Sequence, residues 1–235
     1  MKNKITIVIP AMNEAESIPA VLSKAVKISD DILIVDGHST DNTIEIAQKF
    51  NARVVQQKGR GKGMAIQTAV DFIERPITVF IDADGSHDPN MIPELVKPII
   101  EEKADHVTGS RLLGGSSELH GGFDEFLRLT GSSFITACIN WRFKVKLSDS
   151  QNGFRAIKTD VLRQLNLKEK ITTIEQEMIM KTLAGGWQMA EVPTHEYCRT
   201  HGVSHIKVSR VSFRYVYSLI KYLFFSRTER NSDKA

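Results

Sequence analysis

Thr78-Val79-Phe80-Ile81-Asp82-Ala83-Asp84-Gly85-Ser86-His87-Asp88-Pro89 is an apolar, β-rich run that breaks off into acids and turn formers. Such a run reads as a buried strand delivering carboxylates to its C-terminal edge. Asp82 and Asp84 stand two residues apart, so in an extended chain both side chains point the same way, into the crevice where open α/β sheets bind ligands. Two hard oxygen donors there suit Mg²⁺ or Mn²⁺ bridging to phosphate oxygens. A strand followed by an acidic turn capping the next helix is the plainer account, and only the surrounding chain separates the two.

Upstream, β-rich apolar runs at 5–9, 32–35 and 53–55 precede the run at 77–81, with helical patterns at 17–26, 42–50 and 63–73 between them. Alternation of this kind predicts an α/β fold with right-handed crossovers and a largely parallel sheet covered on both faces. Polar segments follow each strand: Pro10-Ala11-Met12-Asn13-Glu14, then 36–43, then Lys58-Gly59-Arg60-Gly61-Lys62-Gly63, then the two acids. Asn13, Ser17, Thr40 and Asp41 are explained by helix capping. Glu14 and Asp36 can cap as well, but an acid at a sheet edge can also accept hydrogen bonds from ribose hydroxyls or a base N–H. The glycines of 59–63 let backbone approach a phosphate, and Lys62 adds positive charge.

The chain has 235 residues, enough for one large α/β domain or one domain with an appendage. Lys and Arg number 31 against 28 Asp and Glu, a balance that gives no global reason to expect nucleic acid. Cys138 and Cys198 lie far apart without disulfide or metal-ligand spacing, which fits buried thiols in a reducing compartment. The N-terminal run before Pro10 is short and lacks a small-residue cleavage site, so it reads as a first strand. No apolar run reaches the roughly 18 to 20 residues needed to span a bilayer, so a cytoplasmic protein is expected.

Together with Gly109-Ser110-Arg111, Asp149-Ser150-Gln151-Asn152-Gly153-Phe154-Arg155 and Glu191-Val192-Pro193, these segments resemble the family 2 glycosyltransferases of GT-A fold, and most of all their dolichyl-phosphate mannose synthase branch. The likeness runs from residue 5 to about 206. It implies that Pro10, Met12, Glu14, Val35 and Asp36 hold the nucleoside, that Asp82-Ala83-Asp84 holds a metal and the diphosphate, and that the anomeric carbon is inverted. Three positions depart from the pattern. Gly37 stands where the family has a second acid, Ser86 where the mannose synthases have a metal-holding glutamine, and His205 where they have a lysine.

Residues 105–111 read as a further strand ending in a polar turn, and 112–122, rich in Gly and Ser, as a mobile lid for an acceptor. Apolar residues recur at helical spacing over 123–142. Arg128 there is either a surface arginine or, as the resemblance implies, a contact to an acceptor phosphate. In the family the 149–155 loop lines the site, which makes Asp149 the candidate partner of the acceptor nucleophile. A sugar hydroxyl needs a base there, whereas a phosphate monoester, already anionic, does not. Glu175 and Glu177 open a helix, where the dipole alone favours acids; Glu177 also matches a family position near the site. Arg199 and His205 could clamp the leaving diphosphate. A zinc reading of His195, His201 and His205 is set aside for want of softer ligands.

From 206 to 227 the pattern is helical, with Lys207, Arg210, Arg214 and Lys221 on one stripe and aromatic and aliphatic residues over most of the rest. Such a helix either lies on an anionic membrane surface or docks on the catalytic domain or a second subunit, so that a homo-oligomer stays open. The expected organisation is a catalytic domain over 1–205, with a nucleotide-sugar half to 110 and an acceptor half beyond it, then this helix and a disordered tail over 228–235. The expected activity is metal-dependent transfer, with inversion, from a nucleoside diphosphate sugar (GDP-mannose or a UDP-sugar) to a polyprenyl phosphate or a surface glycan at the inner face of the membrane. Two rivals remain: a nucleotidyltransferase, which should carry a Gly-rich basic signature after the first strand, and a non-catalytic module that binds sugar nucleotides or lipid.

Overall fold

The computed structural model describes residues 2–117, 123–198 and 208–225; for 123–128, 208–212 and 225 it describes the backbone alone. In chain order the elements are β1 (Ile5–Ala11), α1 (Ile18–Ile28), β2 (Asp31–Asp36), α2 (Thr43–Lys49), β3 (Arg53–Gln56), α3 (Lys62–Val70), β4 (Ile77–Phe80), α4 (Ile92–Ile100), β5 (His106–Ser110), α5 (Arg111–Gly114), α6 (Phe123–Phe143), β6 (Arg155–Lys158), α7 (Thr159–Gln164), α8 (Ile174–Ala184), β7 (Met189–Pro193) and α9 (Val208–Phe225).

The strands form one seven-stranded sheet in the order β3-β2-β1-β4-β6-β5-β7. β3, β2, β1 and β4 run parallel, β6 is antiparallel to both of its neighbours, and β5 and β7 are parallel to each other. The C-terminal ends of six strands and the N-terminal end of β6 therefore meet along one edge. That edge collects every polar segment the sequence singled out after a strand, which is where crevices of open α/β sheets form.

Burial on both faces explains why the strands read as continuous apolar runs. Ile5, Ile7 and Ile9 of β1 pack with Ile18, Val21, Leu22 and Ala25 of α1 and with Leu95 and Val96 of α4. Val8, one residue out of phase, packs on the other face with Leu33, Val35, Phe80 and the α3 residues Ala65, Ile66 and Ala69. Each fully buried aliphatic side chain contributes about 1.5 to 3 kcal/mol. A third cluster joins α6, α8 and α9 through Ile135, Ile139, Ile179, Met180, Leu219, Tyr222 and Leu223.

The expected strands and helices of the first half appear within a few residues of their predicted places. One expectation about the deciding stretch fails. The chain does not stay extended through Asp84: β4 ends at Phe80, Ala83 and Asp84 are in a turn, and Gly85 takes a positive φ of 78°. The turn closes on itself, because the Ser86 N–H donates to Asp84 Oδ1 at 3.0 Å. The lid over 112–122 is also corrected in its first part. Residues 111–114 form a helical turn, and Ser117 N donates to the Glu196 carbonyl at 2.7 Å, so this part is pinned to the segment after β7. Residues 118–122 and the tail over 228–235 lie outside the described residues.

Candidate active site

The nucleoside end of the crevice is a platform made by two loops zipped together. Asn13 N donates to Ser39 Oγ at 2.9 Å, Thr40 N to Asn13 Oδ1 at 2.7 Å, Glu14 N to Thr43 Oγ1 at 2.9 Å and Ala15 N to Asp41 Oδ2 at 3.1 Å. Asp36 is buried at the root of this platform, and its carboxylate accepts from the His38 and Ser39 N–H groups. The Glu14 carboxylate accepts from Ser17 Oγ at 2.6 Å, and its main-chain carbonyl accepts from the Ser17 and Ile18 N–H groups at the start of α1. Pro10 is half-buried and Met12 exposed at the same edge. Val35 differs: its side chain lies in the core, so only its main chain could meet a nucleoside. At Gly37 a Cβ would fall 2.9 Å from Met12 Cβ and 3.2 Å from the Ala11 carbonyl oxygen. The second acid seen at this position in the family has no room here.

Beside the platform lies a half-buried chain of charges. Lys62 Nζ is 2.6 Å from Asp82 Oδ1 and 3.0 Å from Glu175 Oε1. Burial disfavours the ammonium, but the two facing carboxylates outweigh it and hold Lys62 above the ordinary lysine value. Gly153 makes the room, since a Cβ there would sit 2.5 Å from Lys62 Nζ and 2.8 Å from Asp82 Oδ2. Lys62 is set in place from behind. Cβ atoms at Gly61 and Gly63 would lie 2.5 Å from the Lys170 carbonyl oxygen and 2.2 Å from that of Glu169. These glycines thus pack α3 against the chain ahead of α8, and phosphate approach is not needed to explain them.

Asp84 is buried next to Ser86, whose Oγ is 3.0 Å from His87 Nδ1. Burial depresses the His87 pKa against the pull of Asp82, Glu196 and Asp84, and its ring packs on Phe154 at 5.3 Å. Two carboxylates at one turn are a hard oxygen donor set. They fit a Mg²⁺ or Mn²⁺ ion that takes one or two protein ligands and completes its shell with water and substrate phosphate. Among the described residues no group of three His, Cys, Asp or Glu side chains gathers to enclose a metal.

On the acceptor side, Asp149 is not a carboxylate open to a nucleophile. Arg111 grips it in bidentate fashion, Nε to Oδ2 at 2.6 Å and Nη2 to Oδ1 at 3.0 Å, while Nη1 reaches Glu196 Oε1 at 3.3 Å. Burial pushes the Asp149 pKa up, but the Arg111 hydrogen bonds and charge, with the Gln151 and Arg111 N–H groups, bring it below the ordinary value. Glu177 needs a larger correction. It is fully buried away from the crevice, accepts from Lys168 N and Glu169 N, and pairs with Lys181 Nζ at 2.7 Å. It anchors the loop before α8, and Glu175, two residues earlier, is the acid that reaches the site. Arg128 lies on α6 with its side chain outside the described residues, as Arg199 and His205 are entirely. Arg111 was part of a quoted motif but was not expected to act; its place at the end of β5 was the available signal.

The family model described as glycosyl transferase family 2 matches residues 6–165. An uncharacterised glycosyltransferase of Mycobacterium tuberculosis is 30% identical over 205 residues, covering 87% of this chain and 90% of its own. A dolichyl-phosphate hexose transferase of Haloferax volcanii is 28% identical over 192 residues, covering 80% of this chain and 81% of its own. Among solved structures, glucosyl-3-phosphoglycerate synthase of M. tuberculosis, in complex with Mn²⁺ and UDP-glucose, superposes with a TM-score of 0.74 at 22% identity, over 94% of this chain and 79% of that one. The sheet and its crevice edge are thus those of a GT-A fold.

The Arg111–Asp149 pair yields a pH test. A carboxylate whose folded pKa lies below its ordinary 3.8 stabilises the protein above that value and loses the effect as pH falls through the folded pKa. Asp149→Asn is expected to cost about 3 to 5 kcal/mol between pH 5 and 8, a difference that shrinks only in stronger acid. Urea unfolding of both proteins across pH checks this; a difference that already fades near pH 6 would contradict it.

Proposed function

Since the chain belongs to glycosyl transferase family 2, we propose that it is a metal-dependent, inverting hexosyltransferase that moves a sugar from a nucleoside diphosphate sugar to a phosphate-bearing acceptor of the polyprenyl phosphate class. The observation that carries the donor half is the turn after β4, which presents Asp82 and Asp84 at the crevice edge with Asp82 paired to the half-buried cation Lys62. The platform of residues 10–15 and 36–43 would hold the nucleoside, and Asp82 and Asp84 would hold Mg²⁺ or Mn²⁺. When bound, the ion supplies charge neutralisation for the departing diphosphate. Lys62 adds a fixed positive charge there, in a site where burial strengthens it. The UDP and UDP-glucose complexes of the M. tuberculosis synthase favour a UDP-sugar over GDP-mannose as donor.

The acceptor half rests on Asp149. With its carboxylate held by Arg111, it is poorly placed to take a proton from a sugar hydroxyl, whereas a phosphate monoester brings an oxygen that is already anionic. The dolichyl-phosphate hexose transferase among the relatives supports the same class.

A lipid acceptor would bring the protein to a membrane, and α6 with α9 offers the face. On α9, Leu219, Tyr222 and Leu223 turn inward to the third core cluster. About a third of a turn away, Phe213, Val216, Tyr217, Ile220 and Phe224 recur at three- and four-residue spacing and are exposed. Arg142 Nε donates to the Leu223 carbonyl, which lays the end of α6 alongside, and Phe134 and Trp141, seven residues apart on one face of α6, are exposed as well. Exposed Arg142, Lys144, Lys146 and Arg214 border this face, Lys144 lies 5.8 Å from the Trp141 ring, and α9 carries no acid. An apolar strip with a basic border suits an anionic lipid surface at the inner face of the membrane. Among the described residues no helix is long and apolar enough to cross one.

Transfer from GDP-mannose, UDP-glucose and UDP-N-acetylglucosamine to polyprenyl phosphate tests the reaction. Asp84→Ala is expected to lower the rate by about a thousandfold with folding unchanged; transfer that persists with divalent metal chelated would refute the mechanism. For the membrane face, deleting α9 would open the core, so Trp141→Glu with Tyr217→Glu is the sharper test. Sedimentation with phosphatidylglycerol vesicles should fall about tenfold, with transfer to a short-chain, water-soluble acceptor retained. Unchanged sedimentation would assign the face to another partner.

A further inference from the structure

Lys62 has two carboxylates where an ion pair needs one. Asp82 and Glu175 both lie within 3.0 Å of its Nζ, and the Glu175 side chain is only 5% exposed. Glu175 Oε2 is buried with no hydrogen-bond partner among the described residues. Leaving a carboxylate oxygen without a hydrogen-bond partner is costly, even though the buried Arg155 guanidinium nearby helps to balance the charge of Glu175. Behind it Arg155, wholly buried, donates Nη1 to the Glu175 carbonyl at 3.0 Å, which fixes the start of α8 so that its side chain meets Lys62. On the other side, the Lys62–Asp82 pair packs directly against Gly153, where a Cβ would fall 2.5 Å from Lys62 Nζ.

The arrangement has a physical purpose if Asp82 must change partners. A divalent ion at Asp82 would sit close to an ammonium now 2.6 Å from the same carboxylate, and like charges at such range repel strongly at low dielectric. Lys62 can yield Asp82 and remain in the pocket only if another anion holds it there. Glu175 is that anion, and its unpartnered oxygen provides the further acceptor.

We propose that Lys62 is a resident counter-cation of Asp82 that competes with the divalent metal, and that Glu175 is a positioning residue that keeps Lys62 in the site, turned toward the diphosphate, once the metal takes Asp82. This rests on the metal and diphosphate reading above. It makes the donor bind as a unit: metal alone must displace Lys62 without recompense, whereas metal with diphosphate offers Lys62 new oxygens.

The test uses Mn²⁺ alone and Mn²⁺ with UDP, followed by the loss of the free Mn²⁺ paramagnetic resonance signal on the full chain. Lys62→Met is expected to bind Mn²⁺ alone about fivefold or more tighter than the unmodified protein, and Mn²⁺ with UDP more weakly. Glu175→Gln should weaken both about tenfold, and in the Lys62→Met background the same change should have little effect on Mn²⁺ alone, because Glu175 acts through Lys62. The double variant removes one charge of each sign, so it keeps the pocket balanced should Lys62→Met alone fail to fold; it too should bind Mn²⁺ alone tighter than the unmodified protein. Unchanged Mn²⁺ affinity without Lys62, or an undiminished Glu175→Gln effect in its absence, overturns the exchange. If the unmodified protein takes up no Mn²⁺ with either UDP or GDP, the proposed donor reading fails as well, which sets the two failures apart.

Discussion

A carboxylate at the mouth of a buried strand needs a cation within reach, and the site is built around that constraint. Lys62 supplies the cation for Asp82, and to do so α3 must begin close to the turn after β4. The close approach of Gly61 and Gly63 to the 169–170 backbone achieves this, and the same contact brings up α8 with Glu175. One cluster of charges therefore ties the parallel half of the sheet to the elements that follow β6. With the Glu175 side chain only 5% exposed, its pair with Lys62 holds the geometry before any ligand arrives.

The second half of the crevice repeats the device, again with one cation between two carboxylates. Arg111 leaves the end of β5 and is held by Asp149 and Glu196, one from the loop before β6 and the other from the segment after β7. Glu191 of β7 then accepts from the Ser148 and Asp149 N–H groups, closing the ring of contacts. Arg111 is thereby fixed at the end of β5 with its charge met by two carboxylates, which ties three separate segments of the crevice edge together.

Much of this was legible in the sequence. Strands buried on both faces announce themselves as apolar runs, and the polar segments that follow them mark the crevice edge, so the fold and the neighbourhood of the site came through. What stayed hidden depended on contacts between distant residues. Glu175 and Glu177 are two positions apart on a helix and so face in very different directions, yet helical periodicity cannot say which faces the crevice. Asp149 looked available because its partner Arg111 is 38 residues away. The glycines at 61 and 63 read as room for phosphate, when the group that approaches them is the chain a hundred residues on. In α9 the apolar surface is divided between a buried half and an exposed one, a division set by α6 and α8 and invisible in the pattern alone.

Anomalous scattering from a crystal grown with Mn²⁺ and UDP tests the central claim most directly. The account predicts a manganese peak at the carboxylates of Asp82 and Asp84, in contact with the diphosphate, with Lys62 still against Glu175. A diphosphate seated elsewhere on the sheet edge, with Lys62 and Asp82 paired as they are here and no manganese at the turn, would contradict it.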